Sequence, residues 1–437
     1  MSARTSFDFL QDLFRRVASS PTLANTAWVG AASVSTAVLG AAASALYGRT
    51  LGVADFGVMT LLISLITMIV ALSDLGISGS MVRFGAEAIA KGNTERLQSV
   101  FAVALRAKVV LGIVVLSVAF LFLNPIVAAV FQHVDANITG YFSLALVAAG
   151  VGMTASFFPP IYQTHQRFRE QALITVIPPL FKVGLLALAA FAFTALSVHV
   201  GVWIEIATAV IALAAGWALS PARRFAMLGD QSALRREMLS FNKWLALYYV
   251  LNLLGGRVDL FLVGGLSDAH ALGLYGAASK ISSIVIIVSN SYLMVLLPDL
   301  SSALTPEIVR KKQRNSFLIV GLFVLGIAVL AMFSDLIVFL IFGNGFAGAG
   351  ALVRIMCIGL FFTVMAYPLN ATLFAWNRSE VFPLMSGIAI LALVVGNAFL
   401  IPLWGAAGAA AAFGIGGAVG FSASLVIYFY YLKKHVA

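Results

Sequence analysis

Two segments carry the same pattern: Leu51-Gly52-Val53-Ala54-Asp55-Phe56-Gly57-Val58 and Leu266-Ser267-Asp268-Ala269-His270-Ala271-Leu272-Gly273-Leu274-Tyr275. Each has a leucine, a short turn holding an aspartate, then an apolar residue followed by glycine. Each also joins an odd-numbered apolar run to the next one. A second pair agrees: Asn124-Pro125-Ile126-Val127 with Phe131, and Ser334-Asp335-Leu336-Ile337-Val338 with Phe342. Both separations are close to half of the 437 residues. The chain therefore reads as two copies of one unit, because self-similarity at a fixed separation defines architecture.

The runs around these segments are continuously apolar. Hydrophobic residues make up 61% of the chain, charged residues 10%, and the mean hydropathy is +1.02. A soluble domain carries about a quarter of its residues as charges, so lipid is the main solvent here. That excludes a cytosolic enzyme, a secreted domain and a disordered chain. Only helices or closed barrels satisfy the backbone in lipid, and the runs lack the alternation of a barrel.

Apolar stretches of about 20 residues predict about twelve membrane helices. Six lie near Leu23–Tyr47, Phe56–Leu75, Leu97–Phe122, Ile138–Tyr162, Ala172–Leu196 and Val200–Leu219. Six more lie near Trp244–Leu266, Leu272–Leu297, Phe317–Phe333, Ala351–Phe374, Val381–Leu403 and Gly405–Tyr431. The expected class is an all-α polytopic membrane protein, with two six-helix lobes related as parallel repeats around a central cavity. Residues 1–22 read as an interfacial helix, 23–220 as the first lobe, 221–241 as a linker and 242–437 as the second lobe. Met81–Gln98 reads as a further interfacial stretch.

The excess of 27 Lys+Arg over 17 Asp+Glu gives +10. The basic residues cluster in alternate connections: Arg4, Arg15 and Arg16; Arg83, Lys91 and Arg96; Arg167 and Arg169; Arg223 to Arg236; Arg310 to Arg314; Arg378; Lys433 and Lys434. We call this the basic end of the bundle. The opposite connections have only Arg49 and Arg354 nearby. This asymmetry predicts both termini in the cytoplasm, and it accounts for the charge without a nucleic-acid partner. Cys357 reads as a small buried hydrophobe, and the histidines form no metal-ligand cluster.

Gly48-Arg49-Thr50-Leu51-Gly52-Val53-Ala54-Asp55-Phe56-Gly57, Ser73-Asp74-Leu75-Gly76-Ile77 and Arg83 resemble the bacterial polysaccharide-biosynthesis flippases. That family belongs to the multidrug/oligosaccharidyl-lipid/polysaccharide exporter superfamily. Asp259-Leu260-Phe261-Leu262-Val263-Gly264-Gly265, Gly273 to Lys280 and Gly343-Asn344-Gly345-Phe346 extend the resemblance through the second half. The resemblance implies a bacterial inner-membrane carrier, not an enzyme, for undecaprenyl-diphosphate-linked oligosaccharide. It would work by alternating access in the synthesis of O-antigen, capsule or exopolysaccharide. Membrane lipids, a polysaccharide polymerase and chain-length machinery are the implied partners. No cofactor is expected, and coupling to a proton or sodium gradient stays open. The competing readings are an ion-coupled multidrug exporter of the same superfamily and a membrane polysaccharide polymerase.

A charge at bilayer depth costs about 2.5–3.5 kcal/mol, so each needs a reason. Counting about 1.5 Å per residue from the outer turns puts Arg257, Asp259 and Lys280 in one layer about 12–15 Å deep. Arg257, Lys280 and Lys182 are the candidate diphosphate ligands, since guanidinium forks and ammonium point charges suit phosphate oxygens. Asp259 is expected to meet Lys280 and leave Arg257 for the cavity. Glu205 and Asp259 are the ion-coupling candidates, and Glu205 counts as too shallow to face Lys182. Pro178-Pro179 is expected to disturb the helix before Lys182. Arg49 and Arg354 are assigned to the outer mouth, Asp74 and Arg83 to an inner gate or turn.

Overall fold

The computed structural model describes residues 21–131, 135–192, 196–220, 231–301, 306–376 and 378–436. Residues 1–20 of the expected interfacial helix and 221–230 of the linker lie outside them. The first half comprises α1 (Pro21–Leu51), α2 (Val53–Leu72), α3 (Ile77–Ala90), α4 (Thr94–Val118), α5 (Asn124–Phe131), α6 (Ile138–Ala155), α7 (Phe158–Thr164), α8 (Phe168–Ala192) and α9 (Val198–Leu219). The second comprises α10 (Ser232–Gly255), α11 (Val258–Leu266), α12 (Ala269–Ser301), α13 (Pro306–Met332), α14 (Ser334–Phe342), α15 (Ala349–Ala375), α16 (Phe382–Trp404) and α17 (Ala406–Val436).

Ten helices among the described residues are long and apolar enough to cross a membrane; the pair Ser316–Met332 and Ser334–Phe342, bent by 68°, makes an eleventh. The seventh expected span departs from prediction. Instead of one helix over Trp244–Leu266, α10 stops at Gly255 and α11 starts at Val258, with Arg257 at the break. The glycine pair Gly255-Gly256 removes helix propensity where the chain must turn. The opposite departure occurs in α8, which runs unbroken through Pro178 and Pro179.

In the first lobe α1 packs on α8, α9 on α6 and α8, and α2 on α6; in the second, α17 packs on α15 and α16, and α15 on α12 and α13. Small residues allow close approach in place of a hydrophobic driving force. Gly420 faces Ala389 and Gly416 faces Leu393 on α16, while Gly417 abuts the backbone of Gly359 on α15. At the basic end Leu75 (φ 36) and Gly76 (φ 84) take left-handed conformations. This turn redirects the chain from α2 into α3, whose apolar face (Ile77, Met81, Phe84, Ala88) is buried. The expected interfacial stretch is thus an amphipathic helix, and Asn93 Oδ1 accepts from Arg96 N to start α4.

The lobes meet at the basic-poor end through the repeated segments themselves. A Cβ on Gly57 would lie 2.6 Å from Gly273 N and 2.7 Å from Ala269 O; one on Gly273 would collide with the Val53 carbonyl. Two equivalent glycines therefore touch where α2 crosses α12. One step further along, Gly276 faces the Thr60 side chain. The second repeat closes the same end crosswise. Phe342 fills the space over Gly48, and Phe131 the space over Gly264. Phe56, Phe342 and Phe346 form one aromatic cluster with centroids 5.2–5.4 Å apart.

Arg49, at the end of α1, completes this closure. Its Nε donates to Ile341 O at 3.0 Å and a terminal nitrogen to Leu340 O, at the C-terminus of α14. A cation there complements the helix dipole.

A leucine at Gly273 is expected to hold the lobes apart at this end. Gly345 sits beside Val53, with its Cβ position 3.5 Å from Val53 Cγ2. A Val53→Cys/Gly345→Cys pair should cross-link readily in the parent chain and lose that cross-link with Gly273→Leu.

Candidate functional site

Below the closure the two lobes face each other with charged side chains. Lys182 on α8 makes an ion pair with Glu205 on α9, and Tyr47 on α1 donates to Glu205 Oε1 at 3.1 Å and Gly201 O at 3.2 Å. The Lys182 ammonium also lies 5.9 Å from the centroid of the Tyr47 ring. This corrects the expectation that Glu205 is too shallow for Lys182. Because α8 ends at Ala192 and α9 begins at Val198, the depths counted from these ends differ by only about 5 Å, which a flexible four-carbon stem spans.

Asp259 does not meet Lys280. Its Oδ2 accepts from Tyr275 Oη at 2.6 Å, and its Oδ1 from Leu260 N at 2.8 Å. The carboxylate, 6% exposed, thus satisfies an orphan N–H in the first turn of α11 and ties α11 to α12. Tyr275 takes the partner role expected of Lys280 because it lies nearer the start of α12, level with Asp259.

Arg257 and Lys280 therefore make no ion pair with Asp259, although Arg257 lies near enough to feel its charge. Both are half-buried. Among the described residues no carboxylate lies within ion-pair distance of either. Lys280 interacts electrostatically with Arg257 and Lys182, both of like sign, and with Glu205. The residues expected to act together are therefore one layer: Lys182 and Glu205 from the first lobe, Arg257 and Lys280 from the second. Arg257 stands at the N-terminus of α11, where unpaired N–H groups add to the positive field.

The remaining expectations separate. Arg354 donates to Asp335 Oδ2 at 2.6 Å and Ser334 Oγ at 3.2 Å, tying α15 to α14. With Arg49 on the α14 carbonyls, both outer-mouth arginines are engaged by protein. Arg83 lies exposed on α3, over the Phe84 ring. Asp74 is paired instead with Lys108 on α4 at 2.7 Å. Lys108 also donates to Ser156 O and Oγ, each at 3.1 Å. Sequence reasoning missed Lys108, which is 5% exposed. A lysine inside the apolar run Leu97–Phe122 was the signal that marked it.

Comparison with known proteins agrees with this architecture. The model of the family "Polysaccharide biosynthesis protein" matches residues 22–304. The chain belongs to that family. No curated protein sequence matches significantly. Among solved structures, an inward-facing multidrug resistance MATE family transporter of the MOP superfamily superposes with a TM-score of 0.78 at 12% identity, over 91% of this chain and 95% of that one. Lipid II flippase MurJ in an inward closed conformation gives 0.74 at 12% identity, over 91% and 86%. A MOP superfamily transporter from Pyrococcus furiosus gives 0.62 at 14% identity, over 95% and 97%. At these identities the likeness establishes the fold: a multi-pass bundle of about twelve helices in two lobes.

Replacing Glu205 alone with leucine strands Lys182 and is expected to cost about 3 kcal/mol, as for other buried pairs that lose one partner. The Glu205→Leu/Lys182→Met double variant should recover most of that loss. Thermal unfolding of the four proteins in detergent closes the cycle.

Proposed function

We propose that this protein carries an undecaprenyl-diphosphate-linked oligosaccharide from the cytoplasmic to the periplasmic leaflet of a bacterial inner membrane. The observation that carries the reading is the pair of half-buried cations, Arg257 and Lys280, which lie close to each other and, among the described residues, make no ion pair within 4 Å. Two such charges in lipid are costly when unpaired. A diphosphate supplies the missing negative charge, and its oxygens match the guanidinium fork and the ammonium. Lys182 stands near them, paired with Glu205.

The bundle is closed at the basic-poor end by the Gly57–Gly273 crossing and the Phe56–Phe342–Phe346 cluster. With the basic connections in the cytoplasm, the cavity opens inward, toward the side where lipid-linked sugars are assembled. Headgroup binding then lets the lobes rock about the crossing, and the polyprenyl tail stays in the bilayer throughout. No bond is made or broken. The product would feed the polymerase and chain-length machinery that build surface polysaccharide. Glu205 is the carboxylate we assign to a coupling proton, whose binding would break the pair with Lys182 and free that ammonium for the substrate.

An exporter of organic cations has the same fold. The cationic layer disfavours such a cargo, since Arg257, Lys280 and Lys182 outnumber the carboxylates facing them. Asp259 is occupied by Tyr275.

Purified protein in liposomes containing an undecaprenyl-diphosphate-linked glycan tests the reading. The fraction of glycan accessible from outside should equilibrate rapidly with the parent protein. Arg257→Ala and Lys280→Ala should each slow it roughly 10- to 100-fold, the loss of one charge-assisted hydrogen bond. Arg257→Lys should retain part of the rate. Equal rates in parent protein and empty liposomes, with uptake of a cationic dye instead, would replace this reading with the exporter.

A further inference from the structure

At the basic end the buried side chains form a second apolar cluster, separate from the one that fills the bundle. It gathers Met81 and Phe84 of α3, Phe101 of α4, and Ile161 and Tyr162 of α7 into a cap on the first lobe. One further member comes from the other half of the chain. Met238 of α10 belongs to this cluster and is 4% exposed, and Leu234 packs on it as well. The two are four residues apart, so one face of α10 is seated on the cap. Beside them Arg96 of α4 pairs with Glu237 at 3.5 Å. That ion pair is partly exposed and contributes little by itself, so the apolar face carries the contact.

The other end of α10 belongs to the second lobe. A Cβ on Gly255 would lie 2.8 Å from Ile390 Cγ1, which seats the helix against α16 there. Between its ends α10 touches α2, α3 and α4 of the first lobe and α11 and α16 of the second. About 26 Å of helix separates Met238 from Gly255. The helix then stops, and Gly256 leads to Arg257 and α11.

Two observations give this bridge its meaning. The basic-poor end is closed in the same structure by the Gly57–Gly273 crossing. Along the face of α2 that makes this crossing, Gly57, Thr60, Ser64, Thr67 and Ala71 follow one another at helical spacing. Gly57 and Thr60 touch α12 and Ser64 is buried, whereas Thr67 and Ala71 are exposed. Toward the basic end the lobes have therefore parted between α2 and α12 while α10 is still seated on the cap. A gate that alternates with the outer closure would be released when that closure is made, and this contact is not.

We infer that α10 is a strap between the lobes. Leu234 and Met238 stay on the cap of the first lobe throughout the cycle, the Gly255 end moves with the second lobe, and the mouth at the basic end opens on the α2–α12 flank alone. Gly255-Gly256 is the joint that takes up the change of angle, because glycine weakens the helix and has no Cβ to collide. The strap depends on how the lobes are joined and holds whatever the cargo is.

Cross-linking tests it without a cargo. The native thiol of Cys357 is removed by Cys357→Ala, so that only introduced thiols react. Arg96→Cys/Glu237→Cys should be bridged by a short bismaleimide at the same rate in the parent chain and in Gly273→Leu, which holds the closed end apart. Gly57→Leu meets the same backbone and is a second route to that form. On the opening flank, maleimide labelling of Ala71→Cys should fall about tenfold in either leucine variant as the inner mouth shuts. In liposomes the bridged Arg96→Cys/Glu237→Cys protein should flip at the unbridged rate, whereas a disulfide between Val53→Cys and Gly345→Cys should stop it. Slower bridging in the leucine variants, no bridging in the parent, or arrest of transport by the bridge overturns the inference, because α10 would then part from the first lobe as a gate. Unchanged Ala71→Cys labelling where the Val53–Gly345 cross-link is lost also overturns it, since the moving flank would lie elsewhere. If neither bridged nor unbridged protein flips the glycan, the proposed cargo fails and the cross-linking result stands on its own.

Discussion

The lobes meet backbone against backbone where α2 crosses α12 at Gly57 and Gly273. No side chain other than hydrogen fits there. Because the two glycines are repeat-equivalent, they sit at the point where the two copies turn into each other. Everything below that crossing diverges. Thr60 and Gly276 still touch, Ser64 level with Lys280 is still fully buried, and Thr67 and Ala71 are exposed. The depth of each polar group in the cavity is thus set by its distance in sequence from one of two glycines.

On this shared scaffold the two halves have diverged chemically. The repeat position of Lys280 is occupied by Ser64 in the first half, and that of Arg257 by Ala41. The scaffold contacts recur in both lobes, as Phe131 over Gly264 and Phe342 over Gly48 show. The two cations do not recur. A structural salt bridge would be expected in both copies or paired within one, whereas Arg257 and Lys280 bring two like charges together. Such an arrangement is tolerable in lipid only if a multivalent anion or water relieves it. The first lobe instead holds two neutralised pairs, Lys182 with Glu205 and Lys108 with Asp74.

Individual contacts escaped the sequence for identifiable reasons. Depth counting along each helix put Arg257 and Lys280 in one layer, and the two lie close enough to interact. It failed for Glu205 because a lysine side chain is longer than the difference in depth it had to span. It failed for Asp259 because an aspartate at a helix start bonds first to its own backbone, and Tyr275 lay closer than Lys280. The break between α10 and α11 was written in Gly255-Gly256, yet the same dipeptide is tolerated inside many apolar helices. In the other direction Pro178-Pro179 lies within an uninterrupted helix. Lys108 was passed over because its neighbours are apolar, although an intramembrane lysine is itself the signal.

By itself, the sequence determined the solvent, the helix count to within one or two, the two-fold repeat and the basic end. These follow from composition and period, which depend on each residue's own chemistry. It also marked Arg257 and Lys280 as costly charges in one layer. Only the tertiary structure decided which charges are spent on each other. Pairing depends on the stagger and rotation of neighbouring helices, and those are fixed by close contacts such as Gly57 against Gly273 that no single segment encodes.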